Sequence, residues 1–233
     1  MQILAQIISY ASAAVGGVFA IFGFINGGLN RRTIFMAVMM AAFAVWGASI
    51  AIMYGVTDET TLVSLAVMNY VSISLVGYGM LMLALSFTPI GDKQFWIMGV
   101  VTMIPLLCIS LAMLINVETM FLGAVVDENG LLRELVQNRT GYLLFGAGIL
   151  LYAMHTFAFL GWATRTAKTV AGRKALMMML IMGGVVNVFA MIFNLFIPMF
   201  AHDYSWGWVG TLAIPGFALA SYKAVVKFAQ DEL

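Results

Sequence analysis

The chain has 233 residues, of which 63% are hydrophobic and 9% are charged, and its mean hydropathy is +1.02. Soluble domains carry about 45–50% apolar and about 25% charged residues, so this composition excludes a water-soluble globule. The net charge of +1 provides no basic surface for nucleic acid, and we expect no nucleic-acid partner. A single cysteine, Cys108, excludes an internal disulfide framework, and two histidines are too few for a multi-histidine metal centre. We therefore expect no metal and no cofactor.

Seven apolar stretches are each long enough to cross about 30 Å of hydrocarbon, which takes about 20 helical residues. In chain order they cover residues 3–26, 33–55, 61–87, 95–116, 142–164, 174–200 and 207–229. Because they occupy most of the chain, the sequence predicts one all-α, seven-helix transmembrane domain over residues 1–233. Met1 leads directly into the first stretch without a basic region or a cleavage motif, so we expect a retained first helix rather than a removed signal peptide.

The distribution of charge predicts the orientation of these spans. Nine of the eleven basic residues fall on one side: Arg31, Arg32, Lys93, Arg165, Lys168, Arg173, Lys174, Lys223 and Lys227. The other side holds Arg133 and Arg139 together with seven of the ten acids: Asp58, Glu59, Glu118, Asp127, Glu128, Glu134 and Asp203. Since basic loops stay in the cytoplasm, the amino terminus is expected outside and the carboxyl terminus in the cytoplasm. The chain is thus predicted to be a multi-pass protein of the inner (cytoplasmic) membrane, surrounded by the lipid bilayer.

The longest connection, residues 117–141, lies on the predicted outer side between spans four and five. Its two apolar runs, 120–126 and 131–136, flank Asn129-Gly130. Asn-Gly between apolar runs is a strong signal for a short β-hairpin, because both residues tolerate positive φ. A short helix over 131–137 is the alternative.

The middle of every predicted span lacks Asp, Glu, Lys and Arg. Proton pumps, ion-coupled transporters and voltage sensors need charge inside the membrane, so the sequence argues against all three. Lys223 lies near the cytoplasmic end of span seven without a carboxylate counter-ion in any span, which argues against a retinal protein. Because the sequence also offers no nucleophile–base pair, we expect no enzymatic activity.

His155 is the one ionisable side chain near the middle of a span apart from tyrosine and cysteine. Tyr152 precedes it by three residues and shares its helix face. One hypothesis is that both side chains contact a ligand or form a pH-sensitive switch. The alternative is a neutral imidazole bonded to a neighbouring hydroxyl or to a free main-chain carbonyl.

Asn187 and Asn194 lie seven residues apart and so share one face of span six. Pro198 removes the helical donor for the Asn194 carbonyl, four residues earlier, which predicts a locally unwound polar face directed into the bundle. Span three offers further polar side chains for a ligand pocket there: Asn69, Ser72 and Tyr78. The alternative is that these residues only form interhelical hydrogen bonds, each worth about 0.6 kcal/mol on average.

Short motifs at similar spacing along the whole chain indicate a family resemblance. They are Asn30-Arg31-Arg32 before span two with Trp46 in its middle, Leu83-Ala84-Leu85-Ser86-Phe87-Thr88 at the end of span three, Gly172-Arg173-Lys174 at the start of span six, Asn194-Leu195-Phe196-Ile197-Pro198 at its end, and Pro215 through Ala220-Ser221-Tyr222-Lys223-Ala224 in span seven. With the hairpin-like loop between spans four and five, the chain resembles the N-terminal seven-transmembrane sensor region of bacterial histidine kinases. The resemblance implies a sensor-like membrane domain.

In that family the seventh helix continues into a cytoplasmic signalling domain, whereas this sequence stops at Gln230-Asp231-Glu232-Leu233. We therefore expect a module that signals through a membrane or cytoplasmic protein partner in trans. The alternative hypothesis, from a different class, is an accessory or structural subunit of a larger membrane complex. Small-residue seams such as Gly23-x-x-x-Gly27 and Gly183-Gly184 would then serve packing or homo-oligomerisation.

Overall fold

The computed structural model describes residues 2–128 and 132–231, apart from the side chains of residue 27 and residues 227–231. The helices are α1 Gln2–Gly27, α2 Arg31–Met53, α3 Glu59–Ser86, α4 Asp92–Ile115, α5 Arg139–Thr166, α6 Val170–Met191, α7 Ile197–Ala201 and α8 Ile214–Asp231. A π-helical turn, Ile192–Phe196, joins α6 to α7, and a 3-10 helix, Gly207–Ala213, leads into α8. Spans one to five are α1 to α5, span six is Val170–Ala201, and span seven begins with Gly207–Ala213 and continues into α8.

Seven helices in the described part of the chain are long and apolar enough to cross a membrane, as predicted, which is typical of a multi-pass membrane protein. Several begin a turn earlier than the hydropathy indicated; span six, for example, starts at Val170 instead of residue 174. The reason is capping by polar residues ahead of the apolar stretch. Thr169 Oγ1 accepts the Gly172 N–H at 3.0 Å, so the polar first turn already belongs to the helix.

Six of the spans form a closed ring in the order one, two, three, five, six, seven, in which each packs against the next and span seven packs against span one. Span four lies outside this ring and packs mainly against span three. Spans two and three are largely buried, whereas one, four, five and six expose broad apolar faces. Such faces suit contact with lipid, because hydrocarbon solvates them at no cost.

Spans one and two approach closely at two glycines. A Cβ at Gly16 would lie 2.9 Å from the Met40 carbonyl oxygen, and one at Gly47 would lie 2.9 Å from the Ser9 carbonyl oxygen. A side chain fits at neither position, so the two backbones pack directly against each other. Span one is also tied to span seven, because Ser12 Oγ donates to the Thr211 carbonyl oxygen at 3.1 Å.

Two antiparallel strands, β1 Phe121–Val126 and β2 Leu132–Gln137, occupy the connection between spans four and five. The predicted Asn129-Gly130 turn and Leu131 lie outside the described residues. The Ala124 N–H donates to Glu59 Oε1 at 3.3 Å, and the Tyr204 N–H donates to the Arg133 carbonyl oxygen at 2.7 Å. The strands therefore join the start of span three to the connection between spans six and seven at one end of the bundle.

Candidate functional site

Toward the end of the bundle that carries the strands lies a buried, hydrogen-bonded cluster that we call the tyrosine junction, formed by Tyr70 of span three, Tyr142 of span five and Asn194 of span six. The main-chain carbonyl oxygen of Asn194 accepts hydrogen bonds from Tyr142 Oη at 2.7 Å and from Tyr70 Oη at 2.9 Å. The two hydroxyl oxygens lie 2.7 Å apart, and because each hydroxyl has one proton, the two protons are shared among these three contacts. All three residues are buried. One main-chain carbonyl thus links three helices.

The junction exists because span six is not a regular α-helix at this point. Pro198 has no N–H to donate to the Asn194 carbonyl, and residues Ile192–Phe196 form a π-turn in which the Ile197 N–H donates to the Ile192 carbonyl. The sequence predicted a local break here from Pro198 alone. The structure adds that the carbonyl left without a helical donor is served by two tyrosine hydroxyls.

The Asn194 side chain makes no such link. Among the described residues, neither its Nδ2 nor its Oδ1 has a hydrogen-bond partner, although both are buried. The amide packs against the 3-10 segment of span seven, where a Cβ at Gly210 would lie 2.1 Å from Nδ2. A glycine at this position is therefore required by the close approach. Because buried polar atoms normally have partners, the unpaired amide sets Asn194 apart from a residue that only joins helices.

Asn69 belongs to a second cluster, nearer the end of the bundle that carries the strands. Its Nδ2 donates to Tyr204 Oη at 2.7 Å, and Tyr54 Oη donates to the Ser205 carbonyl oxygen at 2.8 Å. These bonds fix the connection between spans six and seven onto spans two and three. Tyr204 and Tyr54 lie outside the membrane-length helices, and burial raises the pKa of each phenol above its ordinary value. Both hydroxyls therefore stay protonated well into the alkaline range.

The other polar residues proposed for this pocket bond elsewhere. Asn187 Nδ2 donates to the Gly183 carbonyl oxygen of its own helix at 2.8 Å, although the side chain lines a small cavity of about 30 Å³ together with Asn194. Ser72 Oγ donates to the Met68 carbonyl oxygen, also in its own helix. Tyr78 Oη reaches the Gly99 carbonyl oxygen of span four at 3.3 Å, so it faces away from the junction.

Tyr152 and His155 lie in a different place, beside a cavity of about 270 Å³ between spans three, four and five, which we call the lateral cavity. Tyr152 Oη donates to the Thr102 carbonyl oxygen of span four. His155 Nδ1 lies 2.7 Å from the Leu151 carbonyl oxygen, one turn earlier in its own helix. The imidazole is thus bonded to a main-chain carbonyl of its own helix.

The five candidate residues therefore divide into two groups: Asn69, Asn187 and Asn194 near the tyrosine junction, and Tyr152 and His155 at the lateral cavity. Sequence reasoning missed Tyr70 and Tyr142, the two donors of the junction. A signal exists for Tyr70, because a tyrosine inside an apolar span needs a partner for its hydroxyl. Pairing it with the carbonyl released by Pro198 would have found one of the two donors, whereas Tyr142 is the first residue of the predicted span 142–164 and carries no such signal.

Within the residues that the structure describes, no group of three or more His, Cys, Asp or Glu side chains is placed to hold a metal ion. No known family model matches the chain, and no curated protein matches it. The resemblance to kinase sensor regions therefore rests on the sequence motifs alone.

Proposed function

We propose that the chain is a non-enzymatic, sensor-like module of the inner membrane that changes conformation at the tyrosine junction and signals through a protein partner. The supporting observation is the sharing of one carbonyl, that of Asn194, between the hydroxyls of Tyr70 and Tyr142. Either donor can leave while the other still satisfies the acceptor. A π-turn held by exchangeable donors suits a switch, since π-turns occur frequently at functional sites.

The proposed movement has a defined size. Converting the π-turn to regular α-helix shifts the register of span six by one residue, which moves one part of the helix by about 1.5 Å along its axis and turns it by about 100°. A ligand shifts this equilibrium only if it binds one register better than the other. The unpaired amide of Asn194, which packs against span seven, is placed to sense that difference.

A contact between two polar side chains joins neighbouring segments at each end of the bundle. At one end, Arg31 Nη1 forms an ion pair with Asp92 Oδ1 at 3.0 Å, which brings together the loop before span two and the loop before span four. At the other end, His202 Nδ1 lies 2.7 Å from Glu134 Oε1, which joins the strands to the loop after span six. We place the arginine-rich end in the cytoplasm and the strands outside, because basic loops are retained inside.

A spin-label distance measurement tests the switch. Cysteines replace Val38 on span two and Met178 on span six, both exposed, in a Cys108→Ser background, and the distance is measured in lipid nanodiscs. Removing both donors with Tyr70→Phe and Tyr142→Phe should change the distance by roughly 2 Å or more, because the register shift moves span six. Tyr10→Phe, at a half-exposed tyrosine of span one, is the matched control and should leave the distance unchanged. Equal distance distributions in all three proteins would contradict the switch.

The alternative, a subunit of a larger membrane complex, is favoured by open glycine positions on the lipid-facing helices. A Cβ at Gly17 or Gly184 would meet nothing within 4 Å, so both positions leave room for another helix, whereas Gly183 already packs on Phe217 within the chain. Purification in mild detergent followed by mass spectrometry separates the two functions. Stoichiometric recovery of other membrane-spanning chains would favour the subunit; a soluble signalling protein, or a homo-oligomer that shows the register shift, would favour the sensor.

A further inference from the structure

We propose that the lateral cavity binds a compact apolar molecule that carries one hydrogen-bond donor, such as an aromatic alcohol or an indole-type N–H compound, and that enters from the bilayer. The inference goes beyond the proposed function because it concerns binding alone. It holds or fails whether or not span six changes register.

The size of the cavity limits the ligand to one or two rings or their equivalent. Its volume is about 270 Å³. A cavity of about 150 Å³ accepts benzene, and pockets for drug-sized ligands start near 300 Å³. The apolar part of the wall includes Leu81, Leu106, Ile109, Phe145 and Ile149. Gly148 leaves the space open on the side of span five, because a Cβ there would already lie 3.5 Å from Ile109 Cδ1 of span four.

The cavity opens sideways toward lipid. Val101 of span four and Leu151 of span five both line it, and their side chains are 59% and 56% exposed. Span four stands outside the ring of the other six spans, so the opening lies between it and span five. An apolar molecule dissolved in the bilayer therefore reaches the cavity without crossing the bundle.

The polar part of the lining offers acceptors. Three hydroxyls face the cavity, and each donates its proton to a main-chain carbonyl: Ser74 to Tyr70 at 3.0 Å, Thr102 to Met98 at 2.8 Å, and Tyr152 to Thr102. A hydroxyl has one proton and two lone pairs, so each keeps acceptor capacity and no proton for a ligand.

His155 completes this pattern. A neutral imidazole donates from one nitrogen and accepts at the other. Because Nδ1 lies 2.7 Å from the Leu151 carbonyl oxygen, which can only accept, Nδ1 carries the proton and Nε2 is the acceptor. No hydrogen bond from the described residues reaches Nε2. A ligand that brings its own donor satisfies this nitrogen, whereas one with acceptors alone gains nothing from the lining.

Equilibrium binding of tritiated 1-naphthol and tritiated naphthalene tests the proposal, because the two probes share an apolar body and differ in one donor. The full chain is reconstituted in nanodiscs, and uptake by empty nanodiscs of the same lipid is subtracted to remove partition into the bilayer. We expect saturable binding of naphthol at one site per chain. Naphthalene should bind roughly five-fold more weakly, the size of one neutral hydrogen bond.

Three variants of span five separate the parts of the proposal. Gly148→Leu fills the cavity and should abolish saturable binding, whereas Gly161→Leu on the same helix, where a Cβ meets nothing within 4 Å, should leave it intact. His155→Leu should weaken naphthol to the affinity of naphthalene. Should Gly148→Leu fail to elute as a folded protein, Ile109→Phe fills the same space from span four.

Some outcomes would overturn the proposal. Uptake that never saturates above the empty-nanodisc level means that no site exists. Equal binding by Gly148→Leu and Gly161→Leu places any site elsewhere. Equal affinity of the unaltered chain for naphthol and naphthalene shows that the lining offers the ligand no acceptor. A phospholipid that stays with the purified chain and that neither probe displaces means that an acyl chain is the occupant.

Discussion

Span five donates a tyrosine hydroxyl to a main-chain carbonyl of a neighbouring helix in two places, with different consequences. In the tyrosine junction, Tyr142 donates to Asn194, whose helical donor position is occupied by Pro198. In the lateral cavity, Tyr152 donates to Thr102, whose helical donor position is occupied by Leu106, a residue that has an N–H and whose backbone also interacts with the Tyr152 hydroxyl. The first hydrogen bond replaces a lost one, whereas the second reaches a carbonyl whose helical donor position still carries an N–H.

This difference accords with the cavities in the two regions, which measure about 30 Å³ beside the junction and about 270 Å³ beside Tyr152. An unsatisfied carbonyl in the membrane interior is costly, so the junction needs its tyrosines and packs closely around them. Pro105 of span four removes the donor for the Val101 carbonyl rather than for Thr102, so Tyr152 is not needed to satisfy a lost bond. The surroundings of Tyr152 are free to remain a cavity. Substitutions in the two regions should therefore change the unfolding free energy by different amounts and, at some positions, in opposite directions.

The largest effect should come from removing both donors of the junction. Tyr70→Phe or Tyr142→Phe alone should cost about 0.6 kcal/mol of unfolding free energy, because the remaining hydroxyl still serves the Asn194 carbonyl. The double variant leaves that carbonyl buried and unsatisfied and should cost about 2–3 kcal/mol. Thermal or denaturant unfolding of the unaltered chain and all three variants in one detergent measures the cycle.

The decisive quantity in this cycle is the loss of unfolding free energy in the double variant minus the sum of the losses in the two single variants. Tyr10→Phe removes a hydroxyl from a half-exposed position and should change the unfolding free energy by less than about 0.5 kcal/mol. Strict additivity would mean that the tyrosines do not share one acceptor, and the comparison of the two regions would lose its basis.

A smaller loss of unfolding free energy is expected at the cluster of Asn69 and Tyr204, which fixes the connection between spans six and seven. Tyr204→Phe leaves Asn69 Nδ2 without its partner and should cost about 1 kcal/mol near neutral pH. Asn69→Ala in the same background should then add little, since the two groups bond only to each other here. Independent losses from the two changes would show that the hydrogen bond at 2.7 Å contributes nothing.

The raised pKa of Tyr204 also predicts how the stability of the protein depends on pH. Burial raises the pKa of Tyr204 well above its ordinary value of 10.0, so the folded chain holds the phenol neutral at a pH where the unfolded chain ionises it. The stability that depends on this phenol is fully present below about pH 10 and is lost as pH rises further. Unfolding midpoints measured from pH 8 to 11 should fall above pH 10, and the fall should be shallower in Tyr204→Phe. An equal fall in both proteins would assign the alkaline loss to other groups, of which Tyr54 is the first.

The parts of this structure that the sequence predicted are those that depend on local chemistry. Hydropathy locates the spans, and the missing N–H of Pro198 locates the break at Asn194. The donors to that break could not be read in the same way, because the choice of Tyr70 and Tyr142 depends on which helices become neighbours. The position of His155 beside span four could not be read from the sequence for the same reason.

Two glycines of span five allow a direct comparison of how tightly the two regions are packed. The expected changes in unfolding free energy are about 1 kcal/mol. A Cβ at Gly148 would point into the lateral cavity and touch Ile109 Cδ1 at 3.5 Å, whereas one at Gly146 would press on both methyl groups of Leu195 at 3.1 and 3.2 Å. Alanine in a helix gains about 1 kcal/mol over glycine where space allows. Gly148→Ala should therefore raise the unfolding midpoint, and Gly146→Ala should leave it unchanged or lower it. A gain in both would mean that the junction is no more tightly packed than the cavity.

The smallest effect is expected where the second tyrosine of span five is removed. Tyr152→Phe deletes a hydrogen bond that Thr102 does not need, so the unfolding free energy should fall by no more than about 0.6 kcal/mol, and the loss should add to that of Tyr142→Phe. Additivity is expected because the two hydroxyls lie about 15 Å apart along the helix and share no acceptor. A loss as large as that of the double variant in the junction would show that the Thr102 carbonyl is orphaned by Pro105. In both regions a tyrosine hydroxyl would then satisfy a carbonyl that has lost its helical donor. The open space of the lateral cavity would need another cause.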